Sequence, residues 1–110
     1  MGLGPQVQTN GNIQSSWILL VTITPAATGA TTTLEQTFTV AGLQIGDIIS
    51  ITPQFAITTL VTLENARVSA NNTLALAFNN STAGGLTYPS GVFAIEVNRP
   101  YPGLAMSSIQ

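Results

Sequence analysis

Residues 66–78, ARVSANNTLALAF, contain two alternating apolar runs on either side of an Asn-Asn pair. Alternation with period two places every second side chain on the same face of a β-strand. Asn71 and Asn72 are of a residue type that tolerates left-handed backbone, and such a pair between two strands is typical of a two-residue turn. The stretch therefore predicts a tight antiparallel hairpin.

The same alternation extends in both directions from this hairpin, in segments rich in Thr, Val, Ile and Phe. A first strand is expected to end before Pro25, and further strands are expected around residues 34–40, 49–51 and 92–98. Residues 55–62 fit either a short strand or a loop with apolar anchors. Residues 79–90, with two glycines and a proline, are expected to form the longest loop. The residues expected to share one face of each of these strands are Trp17, Leu19, Val21, Ile23, Leu34, Phe38, Val40, Ile49, Ile51, Phe93, Ile95 and Val97.

No segment of ten or more residues carries a 3.6-residue apolar stripe with helix caps, so negligible helix is expected. Six or seven short strands about ten residues apart predict an all-β fold, a small antiparallel β-sandwich of jelly-roll-like type. With 110 residues, the chain has room for one domain. We expect an N-terminal arm over residues 1–15, the sandwich over residues 16–99 and a C-terminal arm over residues 100–110.

Charged residues make up only 5% of the chain, and there is no Lys, His or Cys. A typical soluble domain is about 25% charged. The missing residue types exclude Ser-His-Asp and Cys-His catalysis and the usual zinc sites. Two arginines on a net charge of −2 cannot neutralise a run of phosphates, so no nucleic-acid partner is expected. The charged residues are Glu35, Asp47, Glu64, Arg67, Glu96 and Arg99.

No targeting signal is recognised in the terminal segments of the sequence. Residues 1–10 lack the basic and apolar regions of a signal peptide, and the longest apolar run, residues 17–21, is far short of the ~20 residues that span a bilayer. The expectation is a soluble chain made in a cytoplasm, without a membrane partner. The glycosylation sequons that begin at Asn71, Asn79 and Asn80 are then interpreted as polar turns.

Several groups of residues are of types that can carry chemistry. The glycine-rich segment 42–47 lacks the Lys of a phosphate loop and the spaced carboxylates of a calcium loop, so it is interpreted as a tight turn in which Asp47 binds nearby amides. Glu35 and Glu96 lie on the polar faces of strands, where carboxylates serve solubility more often than catalysis. Arg67 and Arg99 each lie three residues after a carboxylate, which favours local pairing or an interface contact. No enzymatic activity, metal or cofactor is expected.

Aromatic residues offer one alternative. Trp17, Tyr88 and Tyr101 could form a platform on which a sugar ring stacks, with Asn, Gln and Thr supplying hydrogen bonds. This would make the chain a carbohydrate-binding module. The alternation of Trp17 with Leu19 and Val21 favours a core position instead.

The C-terminal arm combines prolines with apolar side chains. A regular strand cannot continue after Pro100 and Pro102, so the apolar residues beyond them need another surface to cover them. We expect this arm to contribute to an interface with another protein or with a second copy of the chain. The candidate interface residues are Arg99, Tyr101, Leu104, Met106 and Ile109.

Three stretches carry a resemblance to a known group of proteins. They are residues 40–51 (VAGLQIGDIISI), 66–83 (ARVSANNTLALAFNNSTA) and 89–100 (PSGVFAIEVNRP). Together they resemble small structural proteins of tailed double-stranded DNA bacteriophages, and in size they are most similar to the head decoration, or cement, proteins. The shared motifs are strands and turns, which also occur in tail and fibre modules.

This resemblance implies a jelly-roll or sandwich fold, assembly as a dimer or trimer on the outer capsid surface and no enzymatic activity. It transfers no ligand-binding residues. The expected partners are the major capsid protein of the same virus and further copies of the chain. The low charge content is consistent with this expectation, since a chain without solubilising charges is suited to permanent contact with other proteins.

Overall fold

The computed structural model describes residues 13–100, and all the regular structure in this range is β. No described residue is helical, so the predicted all-β fold is confirmed for this part of the chain. The first strand includes residues 13–15, which the sequence assigned to the N-terminal arm. The strands are β1 (Ile13–Ile23), β2 (Ala27–Thr28), β3 (Thr32–Thr39), β4 (Ile48–Pro53), β5 (Thr62–Ala70), β6 (Thr73–Asn80), β7 (Leu86–Thr87) and β8 (Gly91–Pro100).

Six strands form two three-stranded antiparallel sheets. The first sheet has the order β1-β8-β4 and the second has the order β3-β6-β5, while β2 and β7 pair separately. Three pairs are nested along the chain: β1 with β8, β2 with β7 and β3 with β6. Strands far apart in sequence are therefore neighbours in each sheet.

The predicted hairpin is present as β5 and β6. Ala70 pairs with Thr73, which leaves Asn71 and Asn72 as the two-residue turn. Asn72 adopts a φ of 62°, in the left-handed region that asparagine tolerates better than most residues. This turn is anchored to the segment after β3, because the Asn72 N–H donates to the Leu43 carbonyl oxygen at 2.7 Å.

Both sheets contribute side chains to one hydrophobic core. The central strand of each sheet supplies fully buried residues: Phe93, Ile95 and Val97 from β8, and Leu74, Leu76 and Phe78 from β6. The predicted inward faces of β1, β4 and β8 are confirmed. In β3, Phe38 packs against the core, but Leu34 on the same face remains 42% exposed.

Residues 54–61 form a loop, which decides between the two structures that the sequence left open. Phe55 anchors it, with its ring in an edge-to-face contact with Phe93 at a centroid distance of 5.2 Å. Gly91 makes the contact possible, because a Cβ atom there would lie 2.6 Å from the Phe55 ring. The ring of Phe55 therefore takes the space that a side chain at position 91 would fill.

The longest loop expected over residues 79–90 is shorter in the structure, because Asn79 and Asn80 belong to β6 and β7 lies within the range. Asn80 organises what remains of this loop. Its side chain is fully buried at the end of β6, and its amide nitrogen donates to the carbonyl oxygens of Thr28 and Gly84, each at 2.9 Å. Its amide oxygen accepts from the N–H and the hydroxyl of Thr82, at 2.9 and 2.6 Å. A buried amide with these partners is a structural group, in agreement with the interpretation of this sequon as a turn.

Candidate functional site

The outer face of the first sheet is unusually apolar. The register places Ile18 beside Glu96 and Leu20 beside Ala94, all on the side of the sheet away from the core. Ile18 is 67% exposed and Leu20 is 70% exposed. Val92 on β8 continues this surface at 40% exposure, and Ile48, 59% exposed, lies on the same side of the sheet beside Asn98. We call Ile18, Leu20, Ile48, Val92 and Ala94 the apolar face.

Polar groups border the apolar face and separate Ile48 from its other members, because Asn98 and Glu96 lie between Ile48 and Ile18. Glu96 is the one charged residue that the three strands place on this side of the sheet, and it makes no ion pair among the described residues. Ser16 donates its hydroxyl hydrogen to the Asn98 side-chain oxygen at 2.7 Å, so these two polar side chains satisfy each other. An exposed sheet face of this composition marks a surface suited to contact with another protein.

Arg99 ends the first sheet with a compact polar cluster. Its guanidinium donates to both carboxylate oxygens of Asp47, each at 2.8 Å, and to the Gly42 carbonyl oxygen at 2.7 Å. The same guanidinium lies over the Trp17 ring, 4.7 Å from its centroid, in cation–π geometry. The Asp47 side chain is 1% exposed and that of Arg99 is 22% exposed.

The segment that contains Asp47 is the tight turn that the sequence predicted. The Gln44 N–H donates to the Asp47 carboxylate at 2.9 Å, and the Asp47 N–H donates to the Gln44 carbonyl oxygen at 3.0 Å. The hydrogen bonds from Arg99 hold the pKa of Asp47 below its ordinary value, and they outweigh the opposing effect of burial. Asp47 is therefore a structural anion that fixes this turn to the end of β8.

Arg67 forms the second ion pair, on the outer face of the second sheet. Its guanidinium donates to both carboxylate oxygens of Glu35, each at 2.8 Å, across the central strand β6. Ala75 and Ala77 face outward on β6 between them, and their small side chains leave room for the two long ones to meet. These hydrogen bonds lower the pKa of Glu35 and raise that of Arg67.

The predicted local partners of the two arginines were wrong. The sequence favoured Glu64 for Arg67 and Glu96 for Arg99, three residues away in each case. The partners are Glu35 and Asp47, because the strand order brings together residues 32 and 52 positions apart. Glu64 instead accepts a hydrogen bond from the Thr62 hydroxyl at 2.9 Å.

The two ion pairs use four of the six charged side chains of the protein, all of which lie within the described residues. Both arginines are paired, so neither offers a free cation. The net charge of −2 corresponds to the remaining carboxylates, Glu64 and Glu96. The surface of the described chain is therefore electrically sparse.

The described aromatic residues of the possible sugar platform, Trp17 and Tyr88, do not form a shared surface. Tyr88 is 4% exposed and packs between Phe78 and Phe93, at centroid distances of 5.1 and 6.1 Å, and burial raises its pKa. Trp17 packs against the core from β1 and is covered by Arg99. Tyr101 lies outside the described residues. Neither described ring offers an open stacking surface.

A second apolar surface region, a groove, lies between the two sheets beside the loop of residues 54–61. It is a shallow groove of about 510 Å³, lined among others by Ile51, Ile57, Leu60 and Tyr88. Ile57 and Leu60 are 48% and 71% exposed. The strand β4 separates the groove from the apolar face: its inner side chain Ile51 lines the groove, and its outer side chain Ile48 belongs to the apolar face.

Of the predicted interface residues, only Arg99 is described, and its charge is engaged by Asp47. Tyr101, Leu104, Met106 and Ile109 lie outside the described residues. Sequence reasoning missed the apolar face, although its signal was present: residues 17–21 are continuously apolar, so a strand there must carry apolar side chains on both faces.

Within residues 13–100, no three carboxylates come together as a metal-binding group, and no helix long and apolar enough to cross a membrane is found. Comparison of the chain with protein-family models, with curated proteins and with solved structures found no match in any of the three.

Proposed function

We propose that the chain is a structural virion protein, a decoration or cement subunit that binds the outer surface of a phage head and bridges neighbouring major capsid proteins. It would be made in the host cytoplasm and act without catalysis or a cofactor. The observation that carries the proposal is the apolar face of Ile18, Leu20, Ile48, Val92 and Ala94 on a chain whose two cations are both paired internally.

The fold supports this proposal through its strand order. The nested pairs β1·β8, β2·β7 and β3·β6 are those of a long hairpin folded over on itself, and β4 lies next to β5 at its closed end. Two antiparallel sheets around one core, joined in this way, favour a jelly-roll-like sandwich. Such folds serve as building blocks of capsids, and the resemblance of the sequence to decoration proteins points in the same direction.

The charges support an apolar rather than an electrostatic contact. Binding through ion pairs weakens with salt, because the Debye length falls from about 10 Å at 0.1 M to about 3 Å at 1 M. Apolar burial contributes about 25 cal/mol per Å² and is not screened. With both arginines occupied, the chain has no free cationic side chain with which to dock on an acidic capsid surface.

The test is reconstitution on heads that lack the protein. We expect the added protein to stay bound through a wash in about 1 M NaCl, and we expect decorated heads to break at a higher temperature than bare ones. The double variant I48K/V92K should lose occupancy. The matched control T37K, on the polar outer face of the second sheet, should retain it.

Two results would overturn the proposal. Release by moderate salt would mean a charged docking site, and equal occupancy by I48K/V92K would remove the apolar face from the contact. Saturable quenching of Trp17 fluorescence by a host surface polysaccharide, without occupancy of heads, would favour the carbohydrate-binding alternative.

A further inference from the structure

The four edge strands of the two sheets differ in how they are protected against pairing with another chain. An exposed edge offers unpaired N–H and C=O groups, and proteins usually block it with charges, proline, bulges or short strands. β3 carries Glu35, and β5 carries Glu64 and Arg67 together with a register shift near Glu64. β4 is six residues long, ends in Pro53 and lies beside β5.

β1 lacks these protections from Ser15 onwards, since its one register shift lies between Ile13 and Ser15. Its eleven residues, IQSSWILLVTI, include no charge and no proline, and it is paired only with β8 among the described residues. Its register with β8 is regular from Ser15 to Ile23. Nine residues at about 3.4 Å each give an edge about 30 Å long with which none of the described residues pairs.

The side chains on β1 are self-complementary. We propose that two copies of the chain pair through their β1 edges, antiparallel about a two-fold axis at Leu19. Ile18 of one copy then lies opposite Leu20 of the other, and Ser16 lies opposite Thr22. This register keeps the core-facing residues of both copies on one side of the joined sheet, because it shifts no side chain to the other face.

The register follows from matching like with like. Placing the axis at Ile18 would set Leu20 opposite Ser16, and placing it at Leu20 would set Ile18 opposite Thr22. Only the axis at Leu19 pairs both exposed aliphatic residues with each other, and apolar cross-strand pairs stabilise antiparallel sheets. Each copy then packs against one side of the other's Ile18 and Leu20, within the same outer face.

Charge does not oppose this contact. Glu96 is the charged residue nearest to β1 on the outer face, and it lies on β8 beside Ile18. The two copies of Glu96 would be separated by three strand spacings of about 4.8 Å each, or about 14 Å. That separation exceeds the Debye length of about 8 Å at physiological ionic strength.

The joined molecule would have one continuous six-stranded sheet with an apolar outer face twice as wide. The contact is isologous and closes on itself, so it yields a dimer and not a trimer. This inference does not rest on the proposed role on a capsid, because it concerns the purified chain alone.

Sedimentation equilibrium on the full chain tests the proposal. One copy has a mass of 11.4 kDa, so a dimer has 2 × 11.4 = 22.8 kDa. We expect the dimer mass at micromolar concentrations and the monomer mass for I18K/L20K, whose substituted side chains point to solvent in one copy. The matched control is I45K/L60K, since Ile45 is 68% exposed and Leu60 is 71% exposed, away from β1. This control should remain a dimer.

The register is tested by disulfide trapping, which the absence of cysteine makes clean. S16C/T22C should form a covalent dimer under mild oxidation, while S16C and T22C alone should not. A monomer at high micromolar concentration, a trimer, loss of association in I45K/L60K but not in I18K/L20K, or no crosslink in S16C/T22C would each overturn the proposal. A wild-type chain that is monomeric and still occupies heads would overturn the dimer and leave the capsid role intact.

Discussion

The two sheets share a core but present opposite surfaces to the outside. The second sheet is covered with threonines and with the Glu35–Arg67 ion pair, which lies across its central strand. The first sheet exposes the apolar face and a single carboxylate, Glu96. The second sheet carries three of the six charged side chains, Glu35, Glu64 and Arg67, whereas the first exposes only Glu96 on its outer face. Under the proposed function, the second sheet faces solvent and the first faces a protein.

The two arginines differ in the same way. The side chain of Arg67 lies on the outer face of the second sheet and is 55% exposed. Arg99 is held at the end of β8 between Trp17 and the nearly inaccessible side chain of Asp47. The first pair covers a surface. The second joins the turn of residues 42–47 to the first sheet, and should therefore matter far more for stability.

The largest expected effect is that of Asp47→Ala. It leaves the guanidinium of Arg99 without its carboxylate and frees the Gln44 N–H. Removing one partner of a buried pair costs about 3–5 kcal/mol, and the partial exposure of Arg99 places the loss at the lower end, about 3 kcal/mol. Urea unfolding measures it. Glu96→Ala, an exposed carboxylate in the same sheet, is the control and should change stability by less than about 0.5 kcal/mol. Equal losses in both would contradict the structural role of Asp47.

The inner faces provide the second contrast. The inner face of the second sheet is filled by its own side chains Leu74, Leu76 and Phe78. On the first sheet, the space above Gly91 is filled by the ring of Phe55, which comes from the loop of residues 54–61. Gly91→Val forces that ring out, and overpacking of this kind costs about 1–3 kcal/mol.

The control for Gly91→Val is Gly84→Val, because nothing lies within 4 Å of a Cβ atom at Gly84. Thermal unfolding should show a lower Tm for Gly91→Val alone. A normal Tm for Gly91→Val would mean that Phe55 does not hold the loop of residues 54–61 in place.

Much of this architecture could be predicted from local sequence patterns. The hairpin at Asn71 and Asn72, the inward faces of β1, β4 and β8 and the turn at Asp47 all follow from interactions within a few residues. Such signals are local, and alternation or a turn residue is enough to reveal them.

The features that decide the surface are not local. The partners of Arg67 and Arg99 depend on which strands become neighbours, and no pattern near either residue contains that information. Asn80 likewise looked like a loop residue because its four hydrogen bonds depend on β2 and on the path of the following loop. The apolar face was visible only as a continuous run, whose orientation required the sheet.

Acid should separate the two ion pairs. The pKa values of Asp47 and Glu35 are both lower in the fold than their ordinary values of 3.8 and 4.5. A carboxyl of this kind stabilises the fold above its unfolded pKa, and the stabilisation is lost as the pH falls through its lower folded pKa. The urea concentration at the unfolding midpoint of the wild type should therefore decrease as the pH is lowered below about 4.

The variants assign that acid loss. Asp47→Asn should already be less stable at neutral pH and should lose less on acidification, whereas Glu35→Gln should follow the wild-type curve closely. If Glu35→Gln flattened the acid dependence and Asp47→Asn did not, the exposed pair would be the stabilising one, and the contrast between the sheets would be reversed.

The smallest expected effect is that of Glu35→Gln at neutral pH. The side chain of Glu35 is 36% exposed and that of Arg67 is 55% exposed. Water can therefore replace most of the hydrogen bonds that Arg67 loses when Glu35 is substituted. Exposed ion pairs gain little, because solvent screens the attraction and two long side chains must be held in one geometry. We expect a urea midpoint equal to that of the wild type within error, and the same for Thr37→Ser, a neighbouring substitution on the same face that leaves the ion pair intact. Since this surface is expected to face solvent, Glu35→Gln should also occupy heads and dimerise like the wild type. A clear loss of either property would place the polar sheet, and not the apolar one, against a protein partner.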